Sequence, residues 1–333
     1  MDKKVRMADI AQQLGISVVS VSKALSGKEG VSDATRVKVL ELARKMDYVP
    51  LRSKESNTPQ PRSHSGNIGI LMADLFFEDN TFYSNMYRQL VKCCNENGYS
   101  VMLELVTAEA EENLTIPAMV QGQKVDGLIF MGEFNKEYIY SVSKAQLPFI
   151  LLDSYHEDLE ADSVTSDNVA GGYLLAKHLL QSGRTKIGFV GSILSTSSIM
   201  DRFLGYSKAL LQAGIEVRMD WVLEDRIGKT TPMAPKLPEN MPEAFICSCD
   251  DTAYTLVELL KRSGYRIPQD VAVAGYDDYH IAQFCNPQLT TYRVNVQDMA
   301  RHAAVQLIRI IKKMPITHGN MVICGEVILR EST

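Results

Sequence analysis

Seven short apolar runs recur along the larger, second part of this chain, with helical stretches between them. The runs are NIGILMA (67–73), SVMLELV (100–106), DGLIFMG (126–132), PFILLD (148–153), KIGFVG (186–191), EAFICSC (243–249) and VAVAGYD (271–277). Between them lie amphipathic segments such as 81–97, closed by Gly98, and 167–182, 199–213 and 252–263. Runs that are apolar along their whole length read as strands buried on both faces, and alternation with helices implies parallel, doubly wound sheets. Two series of runs imply two lobes. Ligands of such sheets bind beyond the carboxyl ends of the strands, so the cleft between lobes is the expected pocket. Asp74, Asp153, Asp250 and Asp277 stand at or just past strand ends. Each is a candidate helix cap or a candidate pocket acceptor.

The first fifty residues follow another rule. Ile10, Ala11 and Leu14 fall at helical spacing, and Gly15 breaks the helix. Ser17 is placed to cap a second helix over 18–26, with Val21, Ala24 and Leu25 on one face. Ser32 is placed to cap a third, with Val39, Leu42, Ala43 and Met46 on one stripe and an end near Asp47. Helix, short glycine turn, helix is the helix-turn-helix arrangement, whose second helix enters the major groove by its N-terminal end. Val18, Val19, Ser22 and Lys23 are left facing outward. Valines suit thymine methyls and Lys23 suits guanine O6 and N7. Ser17, Ser20 and Ser22 suit phosphates, which position without specifying.

Charge agrees with that division. Residues 1–62 carry twelve Lys and Arg against seven Asp and Glu, a surplus of five, while the whole chain has a net charge of −5. The remainder therefore carries −10. A basic head on an acidic body suggests a nucleic-acid contact at the head. The stretch 51–66 (LRSKESNTPQPRSHSG) reads as a linker, in which Pro59 and Pro61 disfavour a helix.

The stretch VRMADIAQQLGISVVSVSKALSGKEGVSDATRVKVLELARKMDYVP resembles the headpiece of the lactose-repressor (LacI/GalR) family of bacterial transcriptional regulators. Asp9-Ile10-Ala11, Gly15-Ile16-Ser17, Val21-Ser22-Lys23, Val31-Ser32, Thr35-Arg36 and Tyr48-Val49-Pro50 carry the likeness. The segments 164–191, 201–215 and 268–308 resemble the same family's effector domain, which shares its fold with periplasmic sugar-binding proteins. The resemblance implies an all-α helix-turn-helix headpiece (1–50), a linker (51–66), and an α/β two-lobed periplasmic-binding-protein-like domain (67–333). It implies an N-lobe of 67–163 with 291–317 and a C-lobe of 164–290 with 318–333. It further implies a cytoplasmic homodimer that binds double-stranded operator DNA and a sugar-like small-molecule effector, with no cofactor. The DNA set it implies is Arg6, Ser17, Val18, Val19, Ser20, Ser22, Lys23, Thr35 and Arg36. The effector set is Phe82, Tyr83, Asp153, Ser198, Arg202, Arg226, Asp250 and Asp277, with Arg202 in the place of the family's effector-clamping arginine.

This chain also departs from the family. Lys23 stands where Arg is commoner, and Val18 and Val19 stand where polar or small residues are. The linker lacks the Ala-Arg-Ser-Leu-like hinge pattern whose leucine wedges into the minor groove, although Leu51, Arg52 and Lys54 remain candidate DNA contacts. Cys249 replaces an amide, Arg226 replaces an aromatic residue, and four prolines fill 228–242 where a helix is usual. Other readings find less support. A transport protein would be expected to carry a signal peptide, and MDKKVRMADIAQQ has no apolar core for one. An enzyme would be expected to show a nucleotide-loop, nucleophile-elbow or zinc-helix motif, and none is present. His178 and His302 read as surface or packing residues, Cys247-Ser-Cys249 lacks zinc spacing, and no run of eighteen apolar residues exists.

Overall fold

Gly15 takes a left-handed φ of 64°, which ends the first helix of the head and turns the chain into the second. The computed structural model describes residues 6–25, 30–46, 64–76, 81–228 and 231–333. The chain divides into two units, residues 1–62 and 63–333. In the first, α1 (Met7–Leu14), α2 (Val18–Leu25) and α3 (Asp33–Lys45) close on Ile10, Ala11, Val21, Ala24, Val39 and Ala43. Ser17 Oγ accepts from Ser20 N at 3.0 Å, and Ser32 Oγ accepts from Thr35 N at 3.3 Å. These bonds cap α2 and α3 as the serines' positions predict. The hinge candidates Leu51, Arg52 and Lys54, with Pro59 and Pro61, lie outside the described residues, as does Tyr48-Val49-Pro50.

The second unit alternates strand and helix. In chain order it contains β1 (Asn67–Ala73), α4 (Thr81–Glu96), β2 (Ser100–Val106), the short α5 (Ala108–Glu112) and α6 (Ala118–Gln121), β3 (Gly127–Met131), α7 (Lys136–Ser143), β4 (Phe149–Leu152) and β5 (Ser163–Ser166). There follow α8 (Asn168–Gln181), β6 (Ile187–Val190), α9 (Ser197–Gln212), β7 (Val222–Leu223), the small hairpin β8 (Arg226–Ile227) and β9 (Thr231–Pro232), β10 (Ala244–Cys247), α10 (Asp250–Arg262), β11 (Ala272–Asp277), α11 (His280–Phe284) and β12 (Thr290–Arg293). The chain ends with α12 (Val296–Ile311), β13 (Asn320–Ile323) and β14 (Glu326–Ile328).

These strands form two six-stranded sheets, ordered β13-β5-β4-β3-β1-β2 and β14-β12-β11-β10-β6-β7. Both faces of each are covered. Ile68, Ile70 and Met72 join the core under α4 and α12, while Leu71, Leu128 and Phe130 join the one under α6 and α7. Phe189 and Ile246 pack with α8 and α9, and Phe245, Val273 and Val190 pack with α10. The proline-rich segment after β9 forms no helix among its described residues, and Trp221 Nε1 ties it down through the carbonyl of Asn240 at 2.7 Å.

Two details differ from expectation. The segments placed at the crossings are themselves strands: β5 and β13 pair in the first sheet and β12 in the second. The chain therefore crosses just after Ser166, Arg293 and Ile323, so β5 and β13 belong to the first lobe. Secondly, β14 runs antiparallel to β12. Strand β12 carries the chain out of the second sheet and β14 brings it back, so the two must run in opposite directions.

Helices α8 and α9 touch backbone to backbone. A Cβ on Gly172 would stand 2.0 Å from the Arg202 carbonyl oxygen, and one on Gly205 would stand 2.0 Å from that of Val169. Gly172→Ala is expected to destabilise this domain by about 3 kcal/mol, the upper end for overpacking. A lower urea midpoint for the domain's unfolding transition would show it.

Candidate functional site

The head presents one face of α2. Val21 and Ala24 point into its core, and Val18 and Val19 on the other side are 46% and 65% exposed. Ser22 and Lys23, one turn further along, are also exposed. Arg6 is exposed at the start of α1, while Thr35 and Arg36 are half-buried. Several of the small hydroxyls pair with one another. Ser17 Oγ and Ser20 Oγ lie 2.9 Å apart, and Thr35 Oγ1 lies 2.8 Å from Ser32 Oγ. Their first task is to hold the helix starts.

In the two-lobed domain the site forms around Arg202 on α9, which is only 6% exposed. Its Nε donates to Asn168 Oδ1 at 3.0 Å and its Nη1 to the Ser248 carbonyl at 2.5 Å. Its Nη2 lies 3.5 Å from Asp277 Oδ1, and the guanidinium stacks 3.8 Å from the Tyr276 ring centroid. Two of its five N–H groups are so hydrogen-bonded, and Asp277 offsets its charge. From the other lobe comes Asp153, whose Oδ2 accepts from the Tyr83 hydroxyl at 2.8 Å. Asp153 Oδ1 is buried without a hydrogen-bond partner. Backbone strain collects at the same two carboxylates, since Asp153 has φ 68° and Asp277 φ 102°.

The lobes meet directly at this point. Tyr155 donates to Asp201 Oδ1 at 3.1 Å, and Ser197 Oγ donates to Glu133 Oε2 at 3.1 Å. The rings of Phe82 and Tyr279 lie 5.7 Å apart. Phe82 also packs on Tyr83, and Tyr83 on Phe76. Phe82, Asp277 and Tyr279 also line an open groove of about 1270 Å³ beside α4.

The remaining expected residues divide. Ser198 is half-buried in the first turn of α9, with its hydroxyl 3.0 Å from Thr196 Oγ1. Arg226 forks onto Asp225, Nε to Oδ1 at 2.8 Å and Nη2 to Oδ2 at 2.7 Å. Burial alone would raise the Asp225 carboxyl, yet this fork and the donors Ser248 and Ser192 N hold it well below the usual carboxylate range. Asp250 needs correction. It is fully buried, its Oδ1 accepts from Thr291 Oγ1 at 2.7 Å, and its Oδ2 accepts from Tyr279 N at 2.8 Å. With both oxygens engaged it braces α10 against β11 and β12 instead of facing the cleft. Sequence reasoning missed Asn168, Glu133, Tyr155, Ser197 and Asp201. Glu133 alone carried a usable signal, because it follows a strand end as Asp153 does. Among the described residues, no group of three or more His, Cys, Asp and Glu is placed to hold a metal, and no helix is long and apolar enough to cross a membrane.

A helix-turn-helix head followed by two hinged lobes, with a buried arginine and carboxylates between them, defines a DNA-binding regulator with a ligand-clamping domain. Residues 6–51 match the model of bacterial regulatory proteins of the lacI family, and 176–333 match a periplasmic binding protein-like domain. This chain belongs to the lacI family of bacterial regulatory proteins, whose members are transcriptional regulators and not enzymes. The Ribose operon repressor of Haemophilus influenzae is 27% identical over 339 residues, covering 98% of each chain. In fold, the chain is similar to a transcriptional regulator CelR in complex with cellobiose, with a TM-score of 0.71, 21% identity, and coverage of 99% and 100%. It is also similar to the lac repressor dimer bound to operator and the anti-inducer ONPF, with a TM-score of 0.65, 21% identity, and 99% of each chain covered.

Burial pushes the Asp153 carboxyl up to about 7, against the pull of Arg202 and the Tyr83 hydrogen bond. Burial likewise pushes Asp277 up to about 6, opposed by Arg202 and Tyr279. Raised carboxyls mean that the native state holds more protons than the unfolded chain from about pH 4 upward. The domain should therefore lose stability as pH rises from about 4 to about 7. Asp153→Asn should flatten that slope in urea melts taken across the window. An unchanged slope would remove Asp153 as its source.

Proposed function

We propose that this protein is an operator-binding repressor that works as a homodimer and is switched by a sugar or sugar derivative bound between its lobes. The single observation that carries the reading is the buried Arg202, ringed by Asp277 and Asp153 from opposite lobes, in a chain that also presents Val18, Val19, Ser22 and Lys23 outward on a helix-turn-helix. A guanidinium fork with flanking carboxylates suits a molecule rich in hydroxyls, which can accept from the one and donate to the others. The operon named in the Haemophilus relative and the cellobiose held by the structural neighbour support a sugar.

On DNA, the valines would pack on thymine methyls and Lys23 would donate to a guanine edge. Arg6, Ser17, Ser20, Thr35 and Arg36 would meet phosphates. Two heads are needed because such operators usually have two half-sites, and the dimeric lac repressor supports that arrangement. Effector binding favours one lobe arrangement over another. It can change operator affinity only by its differential affinity for the two, typically about 1–3 kcal/mol.

An operator fragment selected from random duplexes provides the test. Affinity should fall steeply with added salt. Lys23→Ala should cost about 1–3 kcal/mol where it reads a base. Screening sugars should reveal one that shifts operator affinity by roughly 5- to 150-fold, and Arg202→Ala should abolish that shift. Binding indifferent to both salt and Lys23→Ala would overturn the operator reading.

A further inference from the structure

The first turn of α9 points into the cleft, and an anion already occupies it. The N-terminus of a sixteen-residue helix carries partial positive charge and exposed N–H donors, which makes it a natural seat for a phosphate or carboxylate. Here Glu133 reaches across from the opposite lobe. Its Oε2 accepts from Ser197 Oγ at 3.1 Å and from Ser197 N at 3.4 Å. Gly132, with φ 89°, turns the chain directly after β3 and so delivers Glu133 to that spot. The Glu133 side chain is 14% exposed, and His156 Nε2 stands 4.0 Å behind its other oxygen.

The other charges around the cleft act in the same direction. Asp153 and Asp277 flank Arg202, and Asp201 lies on the same turn of α9. The second arginine, Arg226, has its fork on Asp225. Asp153, more than nine-tenths buried, keeps Oδ1 without a partner, and a polar atom so placed calls for a hydrogen-bonding hydroxyl or amine on the ligand. A ligand bearing its own negative charge would face these carboxylates with the helix N-terminus already taken.

Building on the regulator reading above, we propose that Glu133 is a built-in anion that fills the α9 anion site from the opposite lobe. The effector is therefore a polyhydroxylated molecule without negative charge, a neutral or amino sugar, and neither a sugar phosphate nor a sugar acid. Glu133 thereby selects on ligand charge and ties the lobes together when they close.

The test uses the full chain, wild type and Glu133→Gln, in thermal-shift and calorimetric titrations. The probes are hexoses and pentoses, each set against its amino, acid and phosphate derivatives, and inorganic phosphate set against chloride at equal ionic strength. In the wild type, each anionic sugar should bind at least about tenfold more weakly than its neutral parent, and phosphate should stabilise no better than chloride. In Glu133→Gln, which keeps an acceptor for Ser197, phosphate should bind at least about tenfold more tightly than in the wild type. An anionic sugar that matches its neutral parent in the wild type overturns the inference, as does a phosphate affinity unchanged by the substitution. The wild-type arms need no variant, so they decide the matter even if Glu133→Gln fails to fold. The phosphate arm needs no knowledge of which sugar is the effector. A sugar phosphate that binds the wild type and shifts operator affinity would sink the charge rule and leave the regulator standing. A chain that binds no operator would sink the regulator whatever the sugars do.

Discussion

Stripping Arg202 of its water costs several kcal/mol unless its charge and N–H groups are met inside the protein. Four groups of the C-lobe supply that compensation. Asn168 comes from the start of α8, the Ser248 carbonyl from beyond β10, and Asp277 and the Tyr276 ring from the end of β11. They converge because α8 and α9 pack at backbone contact through Gly172 and Gly205, which brings Arg202 within reach of Asn168. The remaining attraction comes from the other lobe, where Asp153 sits in the field of the same guanidinium. The position of the lobes is thus coupled to one buried charge.

The hinge permits such coupling. One or two residues separate β5 from α8, β12 from α12, and β13 from β14. The crossings use only the two outermost strands at one side of each sheet, β13 and β5 in the first and β14 and β12 in the second, the kind of short connection about which lobes turn as bodies. The crossings are also tied to one another. Asp167 N donates to the Ile323 carbonyl at 2.9 Å, and Gly325 N donates to the Tyr292 hydroxyl at 2.7 Å. At Gly325 the strands pass so closely that a Cβ would meet the Arg293 carbonyl oxygen at 2.1 Å. A side chain there would wedge the hinge.

Much of this was legible in the sequence wherever structure follows local periodicity. Ile10, Ala11, Val21, Ala24 and Val39 announced the head's core by helical spacing, and the fully apolar strands announced sheets buried on both faces. The crossing strands were hidden because SVTS in β5 and TTYR in β12 are mostly polar and short, so nothing in their pattern separates strand from connection. The carboxylates show the other difficulty. Asp153, Asp250 and Asp277 all stand at strand ends, yet two lie in the field of Arg202 and one has both oxygens held by Thr291 and the Tyr279 backbone. Arg226 was read as a pocket residue from its place in the chain, and its fork on the neighbouring Asp225 had no pattern to announce it.

The sequence by itself determined the seven main strands and the helices between them, their order, the division into head and two-lobed body, and the family, because these rest on patterns repeating every two to four residues and on motifs that lie together in the chain. Only the tertiary structure decided which charged groups meet. Tyr83 and Asp153 are 70 positions apart, Glu133 and Ser197 are 64, and Asn168 and Arg202 are 34. Whether a buried carboxylate is a brace, a ligand acceptor or a built-in anion depends on partners at such separations. The electrostatics of burial settle those partnerships, and no local pattern in the chain records them.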